Sequence, residues 1–597
     1  MLNLARYNPG YLKSKAPEIF AIAKQATSVD ALRMDLARLA HDMMFETFDD
    51  YDTISAGSII RVWDCAKVMV RLMTRRSEDI AGFSVAQAIM DMAQKTPRPD
   101  LKPAFYAELL YLFLGLQGRG PGRALADLHL IPTRLTDRRA AIERSRQLDD
   151  LSGEVQVRIG KSTSGLHEDS VARRSERRAR ILGELGASQT QWDDWNWQVA
   201  NILRDAEPIS RLVTLTADEK KAIAGARKNA LPFGITPHYL SMMDDDVTEG
   251  RDRAIRAQVI PPLSYLEKVT AADRGGQCMD FMREADTSPV NLITRRYPAI
   301  CIFKPFNTCP QICVYCQRNW EIDDAMAPGA MASDAQIQAA VSWIRKHPAI
   351  KEVLITGGDP LAMADADIDR IIGMIADIPS VERIRIGSRT LVTLPMRITD
   401  ALADILAGYR QPGRRQVALV THVQHPYELT PDTVAAVERL RLRGIGIYNQ
   451  LVYTFFVSRR YEAAHLRRLL GQVGIDPYYT FNTKGKAETD AYRVPIARLL
   501  QEQKEEARLL PGLSRTDEAV YNVPGMGKNY LRASAHRDLI SILADGTRLY
   551  EFHPWEKNIS GAAKTHISED VPILDYLQRL DAVGEDVYDY QTIWYYY

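Results

Sequence analysis

At 597 residues the chain is too long for one ordinary core, and about 150 residues per domain predicts three or four units. Hydrophobic residues at 46% and charged residues at 25% exclude a long disordered or collagen-like fraction. Lysine plus arginine balance aspartate plus glutamate at 76 each, so no net field draws the chain to nucleic acid or an anionic membrane, and a small-molecule substrate is expected.

No stretch approaches the roughly 18 consecutive apolar residues of a membrane helix, and MLNLARYNPGYLKSK lacks the apolar centre of a signal peptide. A cytoplasmic location is therefore expected. The segments FAIAKQATSVDALRMDLARLAHDMMFETF and IIRVWDCAKVMVRLM place apolar residues at three-and-four spacing, which predicts a helical N-terminal module over 1–150. QGRGPG from Gln117 marks a loop inside it. A helical connecting arm is assigned to 151–290. Its stretch VARRSERRARIL from Val171 carries no aromatic residues among its arginines, and it reads as a solvated helix face instead of a nucleic-acid patch. Gly160-Lys161-Ser162 is not a phosphate loop, because the earlier glycine such a loop needs is replaced by Val155.

From about residue 299 the pattern changes. AICIFKPF, EVLITGG, ERIRIGS, QVALVTHV, GIYNQLVY and DPYYTFN read as strands, separated by helix-length amphipathic segments such as DAQIQAAVSWIRKH and AAHLRRLLGQVG. Six strand-helix repeats predict an α/β fold, a partial (β/α)6-type barrel over 291–485, with a C-terminal segment over 486–597. In such barrels the chemistry sits at the C-terminal ends of the strands.

Three of the six cysteines, Cys309, Cys313 and Cys316, fall in FNTCPQICVYCQRNW directly after the first of these strands. Such clustering is wrong for a disulfide framework and right for a metal site in a reducing compartment. Three thiolates can hold three irons of a 4Fe-4S cubane and leave the fourth open. Zinc competes, but a structural zinc site wants four ligands and no cysteine follows Cys316. Cys65, Cys278 and Cys301 read as small core residues. Gly357, Gly358 and Asp359 end the second strand, where glycines permit close backbone approach to a ligand and the carboxylate can accept from an ammonium group.

With these residues in place, the chain resembles the lysine 2,3-aminomutase family of radical S-adenosylmethionine (SAM) enzymes. The resemblance runs from WDDWNWQVAN at Trp192 through ITPHYLSMMD, DTSPV, RRYP, the cysteine loop, LITGGDPL, IRIGSRT, HVQHPYEL, DPYYTFN and PGMGK. It implies SAM on the open iron, and pyridoxal phosphate (PLP) on Lys528 in NVPGMGKNY. It places Arg296 at the PLP phosphate and Arg318 at the substrate α-carboxylate, and counts His425 among the cofactor-binding residues. Two departures stand out: the glycine run before Lys528 is shorter than the family's, and the second phosphate arginine is replaced by Ile300. The implied reaction cleaves SAM to a 5′-deoxyadenosyl radical, which takes a β-hydrogen so that the nitrogen moves from Cα to Cβ. An electron donor such as flavodoxin or ferredoxin and a homo-oligomer are expected partners.

Lysine-specific members hold the distal ammonium of the substrate with two aspartates, and those positions fall here on Lys484 and Asn522. An unpaired buried charge costs on the order of 3–5 kcal/mol, so lysine is disfavoured. Lys484 with Asn522 suits a distal carboxylate, as in glutamate 2,3-aminomutases of the same family. Another amino acid, a relative without PLP, and a non-catalytic iron-sulfur regulatory protein are the competing readings.

Overall fold

The computed structural model describes residues 2–49, 56–122, 124–129, 134–275, 280, 282–483, 487–524, 526–553 and 565–596. The N-terminal helices include Val29–Asp49, Ala56–Leu72, Val85–Gln94 and Pro103–Leu116. The last of these, PAFYAELLYLFLGL, is apolar on nearly every face and is buried on nearly every face, as expected of a central helix. Further helices, Asp137–Ile159 and Glu168–Glu184 among them, lead to the barrel.

The arginine-rich helix Glu168–Glu184 is not simply a solvated face. Arg174 and Arg177 are buried. Arg177 pairs with Asp244 at 3.0 Å and donates to the Ser241 carbonyl at 2.8 Å, while Arg174 donates to the Gly165 carbonyl at 3.2 Å. These residues fasten the arm to the segment ahead of the barrel, and a charge count alone cannot separate such inward arginines from exposed ones.

Among the described residues nine strands form one sheet in chain order: β1 (Ile293–Thr294), β2 (Ile300–Phe306), β3 (Glu352–Gly357), β4 (Arg383–Gly387), β5 (Gln416–Thr421), β6 (Gly446–Tyr453), β7 (Asp476–Asn482), β8 (Glu518–Val523) and β9 (Gly527–Tyr530). Strands β2 to β8 run parallel, and β1 and β9 are antiparallel edges. The six expected strands are β2 to β7, and β8 adds a seventh parallel one. Period-two alternation sends Val353 and Ile355 outward against helices such as Asp334–Arg345. The other face lines the barrel interior, where the register sets Ile302, Leu354, Arg385 and Ala418 in one layer.

The two edges of this sheet meet at Tyr297, which follows β1. Its hydroxyl accepts from the Lys528 N–H on β9 at 3.2 Å. Gly527 beside it has φ +82°, and a Cβ there would stand 2.6 Å from the same hydroxyl. Only glycine suits both demands.

A smaller antiparallel sheet, β10 (Arg537–Ile542), β11 (Arg548–Phe552) and β12 (His566–Glu569), carries the C-terminal segment back onto the N-terminal helices. Arg71 pairs with Asp538 and Arg76 with Glu551, each at 2.5 Å. Glu108, fully buried in the central helix, pairs with Arg548 of β11 at 3.0 Å and accepts from the Tyr596 hydroxyl at 3.0 Å. Trp594 stacks on Tyr111 with ring centroids 4.7 Å apart. First and last segments thus share one core.

Truncating Glu108 to alanine leaves the Arg548 cation buried without its counter-ion, at a cost of about 3–5 kcal/mol. Chemical denaturation of Glu108→Ala is expected to show that loss, and the double change Glu108→Leu with Arg548→Met to recover most of it.

Candidate active site

The cysteine loop leaves the C-terminal end of β2 and is bound tightly to the end of β3. Gly358 N donates to the Phe306 carbonyl and Asp359 N to the Thr308 carbonyl, both at 2.8 Å. A Cβ on Gly358 would lie 2.0 Å from the Thr308 oxygen, and one on Gly357, whose φ is +119°, would lie 2.7 Å from the Phe306 oxygen. The glycines are therefore required by the approach of protein backbone to protein backbone. That constraint fixes where the cysteines stand.

The Asp359 carboxylate differs from its expected role in binding an ammonium group. It accepts from Leu361 N at 3.1 Å and Arg389 N at 2.8 Å, with Ser388 and the Thr390 backbone as further donors. A carboxylate has about four acceptor sites, so these donors saturate it. Its place in the structure is to tie the end of β3 to the end of β4.

Burial pushes the Cys309 and Cys313 thiols up, and charge on the neighbouring cysteines pushes them further, so the three sulfurs stand in one another's field. Arg389 opposes the rise at Cys313. Among the described residues no group of three or more His, Cys, Asp and Glu side chains could hold a metal ion. A cubane spreads three thiolates over three separate irons and does not gather them on one. Gln311, between the first two cysteines, is 3% exposed, and neither its amide nitrogen nor its oxygen has a hydrogen-bond partner among the described residues. A buried amide left in that state costs about 1–3 kcal/mol, which a polar group bound in the loop would offset. The donor set and the orphaned amide fit an iron-sulfur cluster with its ligand. Cys65 and Cys301 are buried apart from the loop, the latter with its thiol pushed up to about 12 by burial. Cys278 lies outside the described residues.

Tyr315 in the loop sets its hydroxyl 2.9 Å from His422 Nε2 and 3.0 Å from Gln258 Oε1. Burial, with Arg389 adding to it, lowers the His422 pKa to about 3. The ring is neutral at working pH, with Nδ1 2.5 Å from the Gln450 carbonyl. His425, expected at the cofactor site, is held elsewhere: its Nε2 lies 3.3 Å from Glu462 and its Nδ1 accepts from Tyr427 N at 3.1 Å. His422 is the histidine that immediately follows β5, and the strand-end rule applied to THVQH would have picked it.

Inside the barrel a cavity of about 740 Å³ is lined by Arg296, Tyr297, Ile300, Gln317, Asn522 and Lys528 among others. Lys528 Nζ lies 5.3 Å and 5.2 Å from the ring centroids of Tyr297 and Tyr479. Asn522 is its cross-strand partner on β8. Arg318, next to Gln317, is paired with Glu284 and Glu321, and its Nε has no partner among the described residues. Glu284 also gathers Lys304 at 3.1 Å and Arg296 at 3.6 Å. Burial raises the Glu284 carboxyl, but Arg318 and Lys304 outweigh it and hold the pKa below the usual value. Lys484 lies outside the described residues.

Residues 303–453 match the radical SAM superfamily model. An uncharacterized KamA family protein of Methanocaldococcus jannaschii is 39% identical over 98% of this chain and 97% of its own length. The chain belongs to the KamA family of radical SAM enzymes. Glutamate 2,3-aminomutase of Clostridioides difficile is 28% identical, covering 76% of this chain and 99% of that protein. L-lysine 2,3-aminomutase of Clostridium subterminale is 31% identical, covering 52% and 71%. The family resemblance expected from the motifs is thereby shown, and with it a radical SAM enzyme with its 4Fe-4S and SAM centre, whose named relatives are aminomutases.

Gly358→Ala is expected to displace the cysteine loop, since its new methyl meets backbone that cannot swing away. Iron and sulfide content after anaerobic reconstitution checks this: the variant should load a minority of chains while its circular dichroism stays that of the parent.

Proposed function

We propose that this KamA-family chain is a PLP-dependent 2,3-aminomutase that moves the α-amino group of an amino acid to its β-carbon, with glutamate the favoured substrate. The observation that carries the reading is the convergence of Lys528, Arg296 and Asn522 on one barrel cavity, with the Arg318 loop reaching the same wall through Gln317. Its volume is of the order that ligand sites of this kind require.

PLP would supply an imine linkage through which nitrogen passes between adjacent carbons, while SAM supplies the radical. The chain's own residues do the positioning. Tyr297 and Tyr479 confine the Lys528 amine from two sides. Arg296 makes long contacts, 3.4 Å to Thr287, 3.5 Å to the Met282 carbonyl and 3.6 Å to Glu284, which leave it able to turn to a phosphate. Ile300 lines the same cavity and adds no charge, so the phosphate would rest on Arg296 with fewer cations than in the lysine enzymes. Arg318 would exchange the Glu284 carboxylate for that of the substrate, a swap of like for like. Asn522, with Lys484 as its expected companion, would meet a distal carboxylate. Ile302, Leu354 and Val420 give the cavity an apolar wall.

Anaerobically reconstituted protein is expected to show visible Schiff-base absorbance with PLP and to convert glutamate to its β-amino isomer in preference to lysine. Lys528→Ala should abolish both the absorbance and the turnover and still cleave SAM on reduction. Turnover of glutamate by a protein without that absorbance would remove PLP from the reading, preference for lysine would remove glutamate, and intact SAM after reduction would remove catalysis altogether.

A further inference from the structure

We infer that Arg389 is an electrostatic positioning residue for the cluster, donating a hydrogen bond to the Cys313 sulfur and raising the potential at which the cluster accepts its electron. The inference rests on the cysteine site alone and is independent of PLP and of the substrate.

Arg389 follows β4 by two residues and is 9% exposed. Its Nη1 lies 2.9 Å from Cys313 Sγ. The other two guanidinium nitrogens are also held: Nε by the His422 carbonyl at 3.2 Å, and Nη2 by Glu428 at 2.6 Å, the Tyr239 hydroxyl at 3.3 Å and Gln258. Its backbone N–H is held by Asp359. Glu428 is fully buried and equally saturated, accepting from Tyr239 at 2.8 Å, from Gln258 at 2.6 Å and from Gln424 N at 2.6 Å. The pair is neutral overall, but its cationic end faces the sulfur and its anionic end is turned away.

Hydrogen bonds to cluster sulfurs and nearby charge are among the quantities that set iron-sulfur potentials. One electron delivered from a low-potential donor adds one negative charge to the cluster. A cation fixed against a ligand sulfur favours that state without exchanging a proton or breaking a bond. Because five contacts hold it, the guanidinium does not reorganise during reduction, which is where preorganised charge acts most strongly. A structural arginine would satisfy its donors on carbonyls. This one spends a donor on sulfur.

The test is a redox titration of the reconstituted full-length chain, followed by the electron paramagnetic resonance signal of the reduced cluster, without PLP or substrate. Arg389→Gln should lower the equilibrium constant for reduction about tenfold, or 59 mV for one electron. Glu428→Gln, which removes the opposing charge and keeps the arginine, should shift it upward. Opposite signs at full iron and sulfide content support the inference. Shifts of one sign, or none, overturn it, as does weakened SAM binding by Arg389→Gln at an unchanged potential. If Arg389→Gln loads no cluster, the sign for Glu428→Gln decides alone, and a fall or no change overturns the inference. Failure here leaves the aminomutase reading intact, since that is judged by Lys528 absorbance and product.

Discussion

Everything at the site depends on one close approach of backbone to backbone. The end of β3 lies against the start of the cysteine loop so tightly that Gly358 has no room for a methyl group beside Thr308. Cys309 follows Thr308 directly, so this contact fixes the first cysteine of the loop to a rigid strand end. Asp359 carries the same constraint onward, because its carboxylate ties β3 to the backbone of Arg389 after β4. Arg389 in turn reaches Cys313. Two of the three cysteines are thus positioned from neighbouring strand ends through a short chain of hydrogen bonds. Precision of this kind is cheap on parallel strands and hard to obtain on a free loop.

The barrel interior is organised as a gradient from top to bottom. At the strand C-termini stand the cysteines, Tyr315, a neutral His422 and the buried Arg389–Glu428 pair. Below them lies the cavity with Lys528. Between the two regions Glu284 collects Arg296, Lys304 and Arg318, the last of them shared with Glu321, three cations on two carboxylates. Such an excess of positive charge is stable in a half-buried place only while an anion is present. Here the counter-charge is supplied by the chain's own Glu284 and Glu321.

Much of this was legible in the sequence, and the failures have physical causes. Strands β2 to β7 show because each is a short apolar run between turn signals, and the helices between them show their stripe. Strand β8 was missed because EAVYNV follows no amphipathic α-helix of the length that separates the earlier strands, and the four-residue β9 carries too little pattern to register. The small sheet β10 to β12 was missed because its burial comes from the N-terminal helices, hundreds of residues away. The cysteines stand out by spacing alone, and the structure keeps all three on the loop after β2. Asp359 was read as a ligand for an ammonium group because a sequence shows the carboxylate but not the four backbone and hydroxyl donors that saturate it. His425 was taken from the family motif, whereas His422, the first residue after β5, is the ring that reaches Tyr315. Arg389 stands in the IRIGSRT motif at the end of β4, but nothing in those letters distinguishes an arginine on sulfur from one in solvent.

The central claim is that three thiolates on a strand-fastened loop leave one iron free to bind SAM. The most direct measurement is the electron paramagnetic resonance spectrum of the reduced, reconstituted chain before and after SAM is added. Chelation of the open iron changes the electronic environment of the cluster, so the spectrum should change on addition and stay changed with SAM in excess. A spectrum indifferent to SAM in fully loaded protein would contradict the claim.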